Sequence, residues 1–180
     1  NGYSTISFDA PAHGKSGTKT TLMLEFIESI LEVEKAHGPF EFAVGHSLGG
    51  MSILNAIKKR LQVKKAVIIG SGNSVINIVN TFVEKIGLPN KVAIIMRNNF
   101  EKKYQFEMES FSAYVAAKEV KIPVLVIHDN DDDDKDGVRD GSWMSKLKMG
   151  KSSNQSTDVG SDIAKKASED KSGNPMWTIA

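Results

Sequence analysis

Phe40-Glu41-Phe42-Ala43-Val44-Gly45-His46-Ser47-Leu48-Gly49-Gly50-Met51 decides the fold of this chain. Phe40 to Val44 reads as a strand, and Met51 to Arg60 reads as a helix with Met51, Ile53, Leu54 and Ile57 on its apolar side. Between them lies Gly-x-Ser-x-Gly, so a serine sits on a tight strand-to-helix turn. That is the arrangement that presents a hydroxyl as a nucleophile. Gly45 and Gly49 are required because a Cβ at either would collide across the turn. The Leu48 N–H then falls at the start of the helix, where it can hold an oxyanion. A glycine-rich turn with an incidental serine would not need both flanks.

Outward from this stretch, strands and helices alternate. Ser4 to Phe8 is a β-branched and aromatic run, and Ala10-Pro11-Ala12-His13-Gly14-Lys15-Ser16-Gly17 is its loop. A phosphate-binding loop requires a leading Gly where this chain has Asp9, so Gly14-Lys15-Ser16 is not one. Thr21 to Ala36 is a helix with Leu22, Phe26 and Ile30 on one ridge and Met23, Ile27 and Leu31 on the next. His37-Gly38-Pro39 ends it, with Gly38 expected in the left-handed conformation. Lys65 to Ile69 is an apolar run suited to a parallel strand covered on both faces. Such alternation predicts an α/β fold with a doubly wound, mostly parallel sheet.

From Ser74 to Glu119 the pattern is helical. Ile76, Val79, Val83 and Ile86 recur at helical spacing, and Phe100, Tyr104, Phe106, Phe111 and Tyr114 concentrate the aromatics. An insert of this kind, at about 74–119, is either a helical lid over an apolar pocket or a set of ordinary helix cores. Pro123 to Ile127 is the next strand, followed by His128 and a run of acidic residues. Asp132 to Gly137 imitates the first half of an EF-hand loop, but Trp143 stands where the closing Glu is needed. Residues 136–180 are rich in Ser, Lys, Asp and Gly with scattered apolar residues, the composition of a disordered segment.

The 180 residues are enough for one domain with a core. A net charge of +1 gives no electrostatic reason to expect nucleic acid or an anionic membrane as partner. The absence of cysteine excludes disulfides, thiol catalysis and Cys-ligated zinc. No apolar run approaches transmembrane length. The chain opens at Asn1 directly into a strand, so it reads as an internal fragment whose compartment is open, the cytoplasm being the default.

Three stretches carry a resemblance: the Ser47 turn, Phe8-Asp9-Ala10-Pro11-Ala12-His13-Gly14-Lys15-Ser16, and Ile122-Pro123-Val124-Leu125-Val126-Ile127-His128-Asp129. Together they resemble the α/β-hydrolase family, in particular its bacterial esterase, lipase and lysophospholipase-like members. The likeness spans roughly 1–135. It implies a serine hydrolase of esters or related acyl compounds, with Ser47 as nucleophile, Leu48 N–H as oxyanion donor and Asp132 as catalytic acid, Asp131 being the rival. A small-molecule acyl substrate is implied, and no metal or organic cofactor.

Two departures accompany it. The family's triad runs Ser, Asp, His, and no His follows Asp132; the four histidines are His13, His37, His46 and His128. His13 lies in a loop near the family's active-site rim, but in the wrong chain order. Second, the family has a further strand between the Ser4–Phe8 strand and that of Ser47, and the loop after it supplies a second oxyanion donor. Without it the sheet is truncated at the N-terminus, with open edges on both strands. After Lys146 to Lys151 the family expects a strand and Gly-x-Gly-His. Read from the third base of each codon, the codon spanning Asp162 and Ile163 encodes His or Tyr, and its neighbours allow Gly-Phe-Gly before and Arg-Lys after. An out-of-frame tail would account for the missing base. The competing reading is a non-catalytic α/β-hydrolase-like binding protein.

Overall fold

The computed structural model describes residues 3–128 and 174–179. Its elements are β1 (Tyr3–Ser7), α1 (Met23–His37), β2 (Phe42–His46), α2 (Leu48–Lys59), β3 (Lys65–Ile69), α3 (Val75–Lys85), α4 (Lys91–Tyr104), a 3-10 turn (Met108–Phe111), α5 (Ala113–Ala117), β4 (Val124–Ile127) and β5 (Asn174–Ile179). The strands form one sheet in the order β1-β5-β2-β3-β4. Every pair is parallel. The fold is therefore α/β with a parallel sheet, and β2, which leads into Ser47, is central in it.

The α1 periodicity predicts its buried face: Phe26, Ile27, Ile30 and Leu31 are buried. The Glu25 carboxylate turns back to accept the Leu22 N–H at 3.1 Å, closing the first turn. At the other end Gly38 is extended, with φ −71° and ψ 178°, rather than left-handed. Proline at 39 disfavours helical backbone before it. Glycine is still needed there, because a Cβ would lie 2.5 Å from the Glu34 carbonyl oxygen that Gly38 N–H itself bonds.

α1, α2 and α5 pack in a row, α2 also meeting β2 and β3. Met51, Ile53, Leu54 and Ala56 of α2 are buried with Ile30 and Leu31, with Ala66 and Ile68 of β3, and with Ala113, Ala116 and Ala117 of α5. The coverage of β3 is complete on one face only: Ala66 and Ile68 are buried, whereas Val67 and Ile69 are half-buried. Asn55, buried inside α2, donates from Nδ2 to Met51 O at 2.9 Å and to Phe111 O at 2.7 Å, which ties the helix to the insert.

Residues 74–119 divide between the core and a separate helical pair. Their last helix, α5, belongs to the core, while α3 and α4 pack on each other and on the 3-10 turn. The helical spacing of Ile76, Val79, Val83 and Ile86 predicts a buried stripe, yet only Val83 is buried and Ile86 is half exposed. Hydrogen bonds hold the start of α3 instead. Glu109 accepts from Ser74 Oγ at 2.7 Å and from Ile76 N at 3.0 Å, and Val75 N donates to buried Ser112 Oγ at 2.8 Å.

The expected disordered tail over 136–180 requires a correction at its far end, where Asn174–Ile179 forms β5. This strand fills the position between β1 and β2 expected to be open, pairing Ile6 with Trp177 on one side and Ala43 with Trp177 on the other. Trp177-Thr178-Ile179 is a continuous run of residues that favour strands. Pro175, second in the strand and in register with Ser4 of β1, precedes the pairing with β2, which begins at Met176.

Candidate active site

β2 ends at His46 and α2 begins at Leu48, so Ser47 alone makes the turn between them. It does so at φ 50° and ψ −121°, a conformation L residues rarely adopt. The tightness of the turn is measured at Gly45. A Cβ there would sit 2.7 Å from Gly49 C, Gly49 O and Gly50 N, all backbone atoms that cannot swing aside. Glycine at 45 is thus dictated by close approach, as the sequence spacing predicts.

The Ser47 backbone is gripped from both sides. Its N–H donates to Ile69 O at the end of β3, at 2.9 Å. Its carbonyl accepts from Gly50 N at 3.1 Å, from Met51 N at 3.3 Å and from Ser71 Oγ at 3.0 Å. The side chains of this turn meet solvent: His46, Ser47 and Leu48 are all exposed. As the first helical residue, Leu48 has an N–H with no acceptor inside α2. An exposed hydroxyl on strained backbone therefore stands beside an unsatisfied backbone donor at a helix N-terminus, where negative charge is favoured.

The histidines lie elsewhere or are engaged. His13 Nδ1 donates to Pro11 O at 2.9 Å, and its ring sits edge-on to Phe26 at 5.2 Å. That bond fixes the proton on Nδ1, since a carbonyl can only accept. The His46 ring lies beside Gly70, where a Cβ would come 3.5 Å from Nε2. His37 closes α1 and His128 follows β4. Among the described residues no imidazole is hydrogen-bonded to Ser47 Oγ. Asp131 and Asp132, the expected acids, lie outside the described residues, as does the stretch around Asp162 and Ile163.

Asp9 is committed locally. Its Oδ2 accepts Lys15 N at 2.8 Å, closing the loop on itself in place of a phosphate. A pocket of about 170 Å³ opens within the insert between α3 and α4, lined by Ile76, Val79, Ala93, Arg97 and Met108 among others. Ser47 is not among its lining residues, and no aromatic side chain is. Among the described residues no group of three or more His, Cys, Asp or Glu converges as a metal site would require. No helix in them is long and apolar enough to cross a membrane.

Sequence reasoning overlooks Ser71. Gly70-Ser71-Gly72-Asn73 reads only as a strand-closing turn. Only the structure, with Gly70 at φ 53° and Ser71 completely buried, shows that this turn reaches back to Ser47.

No protein-family profile matches the chain, and no curated protein does. Solved structures do. Alpha/beta hydrolase domain-containing protein 10 from mouse superposes with a TM-score of 0.52 at 16% identity, covering 89% of this chain and 74% of that one. The monoacylglycerol lipase of Paleococcus ferrophilus gives a TM-score of 0.51 at 18% identity, covering 94% of this chain and 70% of that one. The chain has the α/β-hydrolase fold.

Proposed function

Proceeding from that fold, we propose that the chain carries the nucleophile of a serine hydrolase acting on small acyl esters, with Ser47 in that role. The observation that supports this best is the strained, solvent-facing Ser47 between β2 and α2, with the Leu48 N–H beside it. Ser47 Oγ bonds to the acyl carbon while a base takes its proton. Leu48 N–H stabilises the oxyanion, and collapse expels the alcohol and leaves an acyl-serine that water hydrolyses. Asp132 is the proposed acid, orienting an imidazole. On this reading none of the four histidines of the sequence is that imidazole, because the fold's order requires it after the acid. The name of one structural neighbour, monoacylglycerol lipase, suits an acyl-ester substrate.

A second reading is favoured by the lack of an imidazole on Ser47 Oγ among the described residues: a binding protein that retains the turn without turnover. Hydrolysis of p-nitrophenyl acetate by the chain and by Ser47→Ala, with and without added imidazole, separates the two. The hydrolase reading expects a weak rate that depends on Ser47 and rises with imidazole beyond the rise seen for Ser47→Ala. That rate should not exceed the roughly thousand- to ten-thousand-fold advantage over water left when a triad member is absent. Identical rates for both proteins at every imidazole concentration would support binding alone.

A further inference from the structure

We propose that Ser71 is a positioning residue for the oxyanion donor, acting through the Ser47–Leu48 peptide. This rests on the reading of Ser47 as nucleophile. Ser71 is completely buried, and its Oγ lies 3.0 Å from Ser47 O. A carbonyl oxygen cannot donate, so the hydroxyl proton of Ser71 points at it. That carbonyl belongs to the same peptide unit as the Leu48 N–H. A donor on the C=O and an oxyanion on the N–H occupy opposite ends of one conjugated, planar group.

Two consequences follow. The first is geometric. Ser47 holds φ 50° and ψ −121°, and the plane of the 47–48 peptide is the freedom through which that strain would relax. Ile69 O fixes the N–H side of Ser47, and Ser71 Oγ fixes the C=O side, both from the segment that ends β3. Gly50 N and Met51 N also reach this carbonyl, but they move with α2 itself. Ser71 is the side-chain donor that references the plane to the sheet. The second is electronic. A hydrogen bond to the carbonyl polarises the peptide and strengthens its N–H as a donor.

The surroundings are shaped to bring Ser71 there. Gly70 at φ 53° turns the chain off β3. Gly50 leaves the room, since a Cβ on it would press on Ser71 Cβ at 3.2 Å and on Ile68 Cγ2 at 2.7 Å.

The test is phosphonylation by a fluorophosphonate in the presence of added imidazole, which supplies the base while Ser47 and the oxyanion donor come from the chain, followed as kinact and KI separately. Ser71→Ala is expected to lower kinact about tenfold, less than the hundred- to thousand-fold that losing an oxyanion donor outright costs. KI should hardly change. Ser71→Thr retains the hydroxyl and should restore the rate. If its methyl is not accommodated, Ser71→Cys, a weak donor of similar shape, should fall between Ser and Ala. The Leu48 amide proton, read by NMR in the unreacted protein, should move upfield in Ser71→Ala.

A wild-type kinact in Ser71→Ala, an unmoved Leu48 amide, or a loss that Thr and Cys both fail to recover would overturn the proposal. If the wild-type chain and Ser47→Ala are both unlabelled, the nucleophile reading fails. The Leu48 resonance still decides whether Ser71 holds the peptide.

Discussion

Ser47 is a costly residue, and the cost can be measured. Its positive φ strains any residue with a Cβ, by on the order of 1–3 kcal/mol. Ser47→Ala and Ser47→Gly both remove the hydroxyl, but only the second relieves the backbone. In urea titrations Ser47→Gly should be the more stable of the two by about 1 kcal/mol or more. Equal midpoints would show that the turn carries no strain. Gly45 is the complementary case. A methyl there meets backbone at 2.7 Å, so Gly45→Ala should destabilise by at least about 1–3 kcal/mol, or reshape the turn and abolish reaction at Ser47. A Gly45→Ala protein with the parent's midpoint and labelling rate would contradict the packing described.

At the scale of elements, the insert is held by polar contacts that its apolar periodicity does not reveal. Ser74 Oγ accepts Asn77 N at 3.2 Å and donates to Glu109, capping α3. Ser74→Ala should cost about 1 kcal/mol by denaturant titration. A second such joint titrates. Glu101 accepts Met108 N and pairs with Arg97, each at 3.0 Å. The Met108 N–H first, and then Arg97, hold its carboxyl below the usual value. A depressed carboxylate contributes stability that is present above its unfolded pKa and lost as pH falls through the folded one. The melting midpoint should therefore favour wild type over Glu101→Gln at neutral pH, with the two converging in the acid range below the ordinary glutamate pKa. Parallel curves would show that the charge is immaterial.

These elements also mark what the sequence discloses. β3 has the bounds its apolar run predicts, and α1 buries Phe26, Ile27, Ile30 and Leu31 of the predicted ridges, Leu22 and Met23 being half-buried, because local pattern and burial largely agree there. α3 departs from its pattern because its partners are the Glu109 carboxylate and the Ser112 hydroxyl, more than thirty residues away. The Ser47 turn was legible because steric exclusion at Gly45 is local. The Ser71 contact was not, because it depends on where β3 delivers the chain.

For the whole molecule, β5 is the pivotal strand. β1 and β2 both pair with it, and neither pairs with the other. Deleting residues 174–180 should strip both of a neighbour and expose two strand edges, which promotes association. Light scattering of the truncated chain should rise with concentration while that of the parent stays flat. A truncated chain that remains monomeric and melts at the parent's midpoint would mean that the contacts of β5 contribute nothing.

The place of β5 in the sheet also bears on how the fold is reached in time. β1 and β2 are synthesised early, separated by α1, and must remain one strand-width apart until residues 174–179 arrive to close the gap. α1, α2, β2, β3 and β4 can assemble with one another before that, through closures of shorter range. The β1–β5 and β5–β2 pairings have among the largest sequence separations in the molecule, and such pairings form slowly. Refolding should show an early phase that buries the α2 face and a later one that protects the β1 amides, resolvable by pulsed hydrogen exchange. Between the two phases the nascent sheet offers a vacant, strand-shaped slot to any extended segment that reaches it first.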